Sequence, residues 1–381
     1  MKIAVNTRLL LAHRMEGVAR YIYETTKCMV LAHPEVEFHF LFDRPFDKKF
    51  IFSYNVVPHV IGPSSRHPLL WYLWFERSLP TFFRQHDIDV FYSGDMYMSL
   101  RADVPTLMVS HDLNYMHYPG GLRWSHLKFY QKYMPLYHKS ADHLIAVSEA
   151  TKDDVVAKYN IDADKITVAY NSVPEGFSVL DNETIDDIRK KYTGGAPYFV
   201  YIGSLHPRKN IERLLLAYDQ YRYTTSDMND IESKVKLIIF GRKAWKTSSI
   251  YDTYESLKFK DDVIFLSNDD ISVNEIMGAA LALCYISLFE GFGIPILEAF
   301  SSGIPVITSD VSSMPEVAGT AAMLVDPLDL DNIAAAMNNI VSDRPLRQRL
   351  ITEGHKQLEL FSWSESARII FDELRSLVHQ S

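Results

Sequence analysis

The chain has 381 residues, enough for two or three domains, with 47% hydrophobic and 23% charged residues, both ordinary for a globular protein. Its formal net charge of -9 argues against a polyanion-binding protein, so no nucleic-acid partner is expected. Two cysteines, Cys28 and Cys284, supply neither a disulfide framework nor a zinc ligand set.

In chain order, short apolar runs alternate with longer amphipathic stretches. Residues 3–5, 38–42, 56–61, 90–92, 106–110, 144–147 and 166–169 read as strands, with helices over 19–32 and 124–139 among them. Residues 198–202, 236–240, 263–266, 283–286 and 305–307 continue the series, and a last helix runs over about 365–379. Strands that alternate with helices in this way predict parallel sheets covered on both faces. Two series predict two doubly wound domains with a cleft between them as the ligand site. Pro174-Glu175-Gly176, an acidic run over 181–187 and Gly194-Gly195-Ala196-Pro197 punctuate the boundary. Residues 1–175 hold 19 basic and 19 acidic residues, whereas 176–381 hold 20 and 29. The N-terminus lacks a signal-peptide pattern, and no apolar run is long enough to span a bilayer, so a cytoplasmic protein is expected.

Two strand ends carry the chemistry. Glu290-Gly-Phe-Gly-Ile-Pro-Ile-Leu-Glu298 follows a strand and enters a helix. Pro295 suits an early helical position, and Gly291 and Gly293 let a ligand approach the backbone. The helix N-terminus favours an anion, and a carboxylate at Glu298 can accept from a vicinal diol. The plain alternative is a glycine-rich turn with a capping Glu. Tyr201-Ile-Gly203-Ser204-Leu-His-Pro207-Arg208-Lys209-Asn210 sits where another strand meets its helix. Arg208 suits bidentate phosphate contact and Lys209 acts as a point charge. A solvated basic helix cap is the plain alternative there.

With these motifs the chain resembles the retaining glycosyltransferases of family 4, which have the GT-B fold: α/β, with two Rossmann-like domains facing a central cleft. Glu290 and Glu298 match the Glu-x7-Glu signature of that family. Further matching segments are Glu16-Gly17-Val-Ala-Arg20-Tyr21, Val109-Ser-His111-Asp112, Ser148-Glu149-Ala150, Phe240-Gly241-Arg-Lys243-Ala-Trp245 and Ser313-Met-Pro315-Glu316. The style is that of the mannosyltransferase-like branch of bacterial O-antigen and capsule synthesis.

The resemblance implies an acceptor-side domain over 1–175, onto which a helix at about 363–381 packs back, and a donor-binding domain over 195–362. It implies transfer of a hexose with retention, mannose from GDP-mannose first, to a glycan or lipid-linked oligosaccharide. The leaving phosphate would take the acceptor's proton, and no metal or other cofactor would be needed. Arg208 and Lys209 would bind the diphosphate, and Glu298 the ribose hydroxyls. Glu290, with the Gly291, Phe292, Gly293 and Ile294 backbone, would hold the sugar. Gly203 would shape the strand end, His111 would face the sugar, and Gly17 would let the first loop approach the phosphates. In many relatives the residue after the strand glycine is Arg; here it is Ser204, and Arg208 supplies the charge. A UDP- or dTDP-sugar donor, a non-transferring epimerase and a sugar-nucleotide-binding protein remain open.

Asp87-Ile-Asp89, Asp162-Ala-Asp164 and Asp329-Leu-Asp331 have the spacing of a metal-binding pair but read as structural. Ser267-Asn268-Asp269-Asp270 could select a guanine base or cap a helix. Aromatic-basic stretches over 66–75 and 124–137 suit either a packed helix or a peripheral membrane contact, which would place the chain at the inner face of the plasma membrane. His13, His117, His126 and His138 read as surface or internally satisfied histidines.

Overall fold

The computed structural model describes residues 1–12, 15, 17–65, 67–225, 234–242, 248–267 and 271–380. It divides into two units, Met1–Asn171 with Ser362–Ser381, and Ser172–Phe361.

The first unit begins with β1 (Lys2–Asn6), α1 (Gly17–Ala32), β2 (Glu37–Phe42), β3 (Val56–Val60), α2 (Pro68–Leu73), α3 (Leu79–His86) and β4 (Val90–Ser93). It continues with β5 (Thr106–Ser110), α4 (Asn114–His117), α5 (Trp124–Ser140), β6 (His143–Ala146), α6 (Glu149–Tyr159) and β7 (Ile166–Val168). The seven strands lie in the order β3-β2-β1-β4-β5-β6-β7, and every adjacent pair is parallel. Both faces are covered, so the central strands are apolar throughout: Ile3, Ala4, Val5, Val90 and Phe91 are fully buried.

The second unit comprises α7 (Asn182–Thr193), β8 (Tyr198–Ile202), α8 (Ile211–Thr225), β9 (Lys236–Phe240), α9 (Ser248–Ser256), β10 (Val263–Leu266), α10 (Val273–Gly278) and β11 (Ala282–Tyr285). It ends with α11 (Ile294–Ser301), β12 (Val306–Ser309), α12 (Met314–Ala318), β13 (Ala322–Val325), α13 (Leu330–Ser342) and α14 (Arg344–Leu358). Its sheet, again parallel, has the order β10-β9-β8-β11-β12-β13. The chain then returns to the first unit as α15 (Trp363–Gln380), which packs on α1. Ala367, Ile370, Phe371 and Leu374 form its buried stripe at helical spacing.

The units divide at 171/172 and 361/362, whereas the sequence suggested 175 and 195. The punctuated segment after Gly176 holds α7 rather than a plain linker. Asp181 caps that helix by accepting from the Thr184 N–H at 2.8 Å, and Gly194 ends it in the left-handed conformation. Only Ile188 and Thr193 of α7 are buried, so its polar surface resembled a connection. β13 was not anticipated: it is short and only Val325 in it is buried.

In both sheets the order reverses beside a central strand, between β1 and β4 and between β8 and β11. Such switch points open a crevice at the carboxyl ends of the strands.

Candidate active site

The second unit's switch point brings the two motif loops together. After β8 the chain turns at Gly203, whose φ of +147° suits glycine. A Cβ there would lie 2.9 Å from the Tyr201 hydroxyl. That hydroxyl donates to the Ser204 carbonyl at 3.0 Å and closes the turn. Residues Pro207–Lys209 form one tight helical turn, with the His206 side chain accepting from the Arg208 N–H. The Asn210 side chain donates to the Pro327 carbonyl at 2.7 Å and anchors the far end. Gly241, after β9, leaves no space beside this loop, since a Cβ on it would fall 1.7 Å from the Gly203 carbonyl oxygen.

The second loop leaves β11 and is tied down by hydroxyls. Ser309 Oγ donates to the Ser287 carbonyl at 2.7 Å. Ser312 and Ser313 both donate to the Glu290 carbonyl, and Ser313 also reaches that of Phe292. The Leu288 N–H donates to the Arg208 carbonyl at 2.8 Å and joins the two loops. Gly293, at φ +107°, caps α11, and Pro295 lies in its first turn. Ile294 begins that helix, and Glu298 follows half-buried in its second turn.

The charges converge on Glu290. Arg208 Nη1 lies 2.6 Å from its Oε2, and Lys209 Nζ lies 2.5 Å from its Oε1. Arg208 also donates to the Phe289 carbonyl at 2.8 Å. Lys209 donates to the Tyr285 hydroxyl at 2.7 Å and sits 4.9 Å from that ring's centre. Glu290 is 7% exposed and Lys209 8%. Burial alone would raise the Glu290 pKa, but Lys209 and then Arg208 outweigh it and hold the carboxyl at about 2. Burial, reinforced by the Glu290 charge, keeps the Tyr285 and Tyr201 phenols protonated.

The predicted donor residues Gly203, Arg208, Lys209, Glu290, Gly291, Phe292, Gly293, Ile294 and Glu298 all lie on these loops and on α11. Sequence reasoning gave Glu290 to sugar hydroxyls and missed that its carboxylate pairs with both cations. It also missed Tyr285, which lay within a run read only as a strand and proves to be the last residue of β11.

His111 and Gly17 belong to the first unit. His111 follows β5, and its Nε2–H donates to the Gly94 carbonyl at 2.7 Å while the Tyr21 ring meets it edge-on. Burial lowers its pKa, so the ring is neutral with Nδ1 as the acceptor nitrogen. Gly17 opens α1, and a Cβ there would meet nothing. The same unit holds a buried polar cluster that the sequence did not disclose. Arg8 Nε donates to Asp95 at 2.6 Å, Asn6 donates to the same carboxylate at 2.7 Å, and Arg8 lies 4.4 Å from the Tyr97 ring centre.

The three Asp-x-Asp pairs make structural contacts. Asp89 accepts from the Lys2 N–H, Asp162 caps the turn before β7, and Asp329 caps α13. Among the described residues, no group of three or more His, Cys, Asp or Glu is arranged to hold a metal. His117 pairs with Asp154, His126 packs on Trp71, and His138 is buried and hydrogen-bonded. His13, Glu16, Arg66 and residues 243–245 and 268–270 lie outside the described residues.

Two parallel α/β units, the second with loops that carry paired charges at its switch point, are the architecture of GT-B transferases. Residues 15–176 match the family model Glycosyltransferase Family 4, and residues 183–357 match Glycosyl transferases group 1. The O-antigen chain mannosyltransferase B of Escherichia coli is 26% identical over 95% of this chain and 96% of its own length. The O-antigen chain mannosyltransferase RfbU of Salmonella typhimurium is 29% identical over 75% of this chain and 74% of its own. The structure of Anabaena HepE in complex with UDP-glucose superposes with a TM-score of 0.74 at 17% identity, covering 99% of this chain and 100% of that one. The chain belongs to the family 4 glycosyltransferases and is a glycosyltransferase enzyme.

Proposed function

We propose that this enzyme transfers mannose from GDP-mannose, with retention and without a metal, to a sugar hydroxyl of a growing O-antigen-type glycan. The observation that carries this reading is the convergence of Arg208 and Lys209 at the switch point of the second unit. Two fixed cations there can neutralise a departing diphosphate, the part a divalent ion takes elsewhere. The mannosyl donor rests on the two O-antigen mannosyltransferases to which the chain is similar.

In the proposed reaction the bond from the anomeric carbon to the β-phosphate oxygen breaks, and its electron pair stays on the phosphate. The acceptor oxygen bonds to the same face of that carbon, and its proton passes to the departing phosphate oxygen. Arg208 and Lys209 stabilise the charge that develops, and Glu298 holds the ribose hydroxyls. The Gly291–Gly293 backbone positions the sugar. The first unit takes the acceptor, and there neutral His111 offers Nδ1 to a hydroxyl.

A thermal-shift panel of nucleotide sugars tests the donor. A ligand at about 100 times its Kd stabilises by about 2.7 kcal/mol. GDP-mannose is expected to raise the melting temperature, whereas a UDP- or dTDP-sugar acting in its place overturns the mannosyl reading.

The acceptor we propose is lipid-linked, met at a membrane surface by α5. No helix among the described residues is long and apolar enough to cross a membrane. Residues 113–141 carry four cations, Arg123, Lys128, Lys132 and Lys139, and no carboxylate in a chain of net charge -9. These cations are exposed beside Trp124, which is 73% exposed, and Leu136. Basic and apolar side chains on one exposed helix face suit an anionic bilayer interface.

A further inference from the structure

Glu290 bridges the two cations at the strand ends. Its two carboxylate oxygens each meet one cation, Arg208 Nη1 at 2.6 Å and Lys209 Nζ at 2.5 Å. A phosphate group presents a similar pair of anionic oxygens to such a fork. We infer that Glu290 is a displaceable internal counter-ion: it holds Arg208 and Lys209 while no diphosphate is bound, yields them to the donor, and returns to help expel the nucleoside diphosphate. This rests on the reading that those two cations receive the donor diphosphate.

Three features support the exchange. Buried cations without a partner are costly, so a resting anion keeps both side chains in position. The Glu290 backbone is fixed independently of its carboxylate, because Ser312 and Ser313 hydroxyls donate to its carbonyl and its N–H donates to Ser312 Oγ. The side chain can therefore turn while the loop stays. Finally, once the transferred proton is lost to solvent, the β-phosphate of the product carries one more negative charge than in the donor, so the cations attract the product more strongly. A competing carboxylate offsets that difference, and product release often limits turnover in enzymes.

The test is calorimetric titration of GDP and of UDP into the wild type, Glu290→Gln, Lys209→Met and the double variant. Removing the competing charge is expected to tighten nucleoside diphosphate binding about tenfold, as for the loss of one like charge near a buried phosphate. That gain should be smaller in the Lys209→Met background, since the carboxylate and phosphate contest the same cation. Equal or weaker binding by Glu290→Gln overturns the inference. Should that variant not fold, Glu290→Asp serves, because its shorter carboxylate loosens the pair; binding no tighter than wild type overturns the inference there too. If wild type and Lys209→Met bind both nucleotides alike, it is the donor-site reading that fails.

Discussion

Replacing Lys209 with methionine separates its structural from its catalytic contribution. Methionine keeps an unbranched stem of similar volume and deletes the ammonium. Two hydrogen bonds disappear, at 2.5 Å to Glu290 and 2.7 Å to the Tyr285 hydroxyl. Glu290 keeps Arg208 at 2.6 Å, so the buried carboxylate is left half-compensated. The two cations together bring its pKa from 4.5 to about 2. A net shift of that size is on the order of 3 kcal/mol. A stability loss of about 2–3 kcal/mol at pH 7 follows, read as a lower urea midpoint at unchanged slope. Removing one charged donor from a departing diphosphate should lower turnover by about 10²–10³-fold, about 3–4 kcal/mol of transition-state stabilisation. Turnover is read as nucleoside diphosphate release from the donor identified in the thermal-shift panel. A folded variant with wild-type turnover refutes the catalytic role. A variant with unchanged urea midpoint refutes the ion pair.

His138 gives a pH prediction. Its Nδ1–H donates to the Met134 carbonyl at 2.8 Å, its Nε2 accepts from Ser110 Oγ at 3.0 Å, and burial lowers its pKa from 6.5 to about 4. The unfolded ring takes a proton below 6.5 and the native ring only near 4, so its stabilisation is full above pH 6.5 and declines as pH falls towards 4. Between pH 8 and 5 that amounts to about 2 kcal/mol, and this part of the slope should vanish in His138→Phe when urea midpoints are compared. On the exposed face of α5, the triple variant Lys128→Glu, Lys132→Glu and Lys139→Glu should lose sedimentation with vesicles of phosphatidylglycerol while its melting temperature stays near wild type. Undiminished sedimentation would remove α5 as the membrane contact.

Much of the fold could be read from the chain because both sheets are parallel and buried on both faces. Runs such as 107–109 and 237–240 are apolar without interruption, and the structure places strands over those residues. β13, an edge strand with exposed Leu324, was missed although residues 321–325 form an apolar run of the same kind. The two loops that carry the paired charges could be placed at strand ends, where glycine and proline have defined backbone roles at Gly203, Gly293 and Pro295. The contacts made by the charges were not. Glu290 and Lys209 are 81 positions apart, and Arg8 and Asp95 are 87 apart. Pairing at that range is set by strand order, here β8 beside β11 and β1 beside β4. No local spacing encodes it.

The return of α15 to the first unit has a consequence for biosynthesis. α15, with Ile370 and Leu374 buried, packs on α1, which is translated long before it. The unit translated first therefore cannot finish folding until residues near 374 have emerged. The second unit, continuous over Ser172–Phe361, has its whole sequence available earlier. Nascent chains of this enzyme should hold a folded second unit while the first is still open, with the apolar face of α1 exposed to chaperones until α15 has emerged.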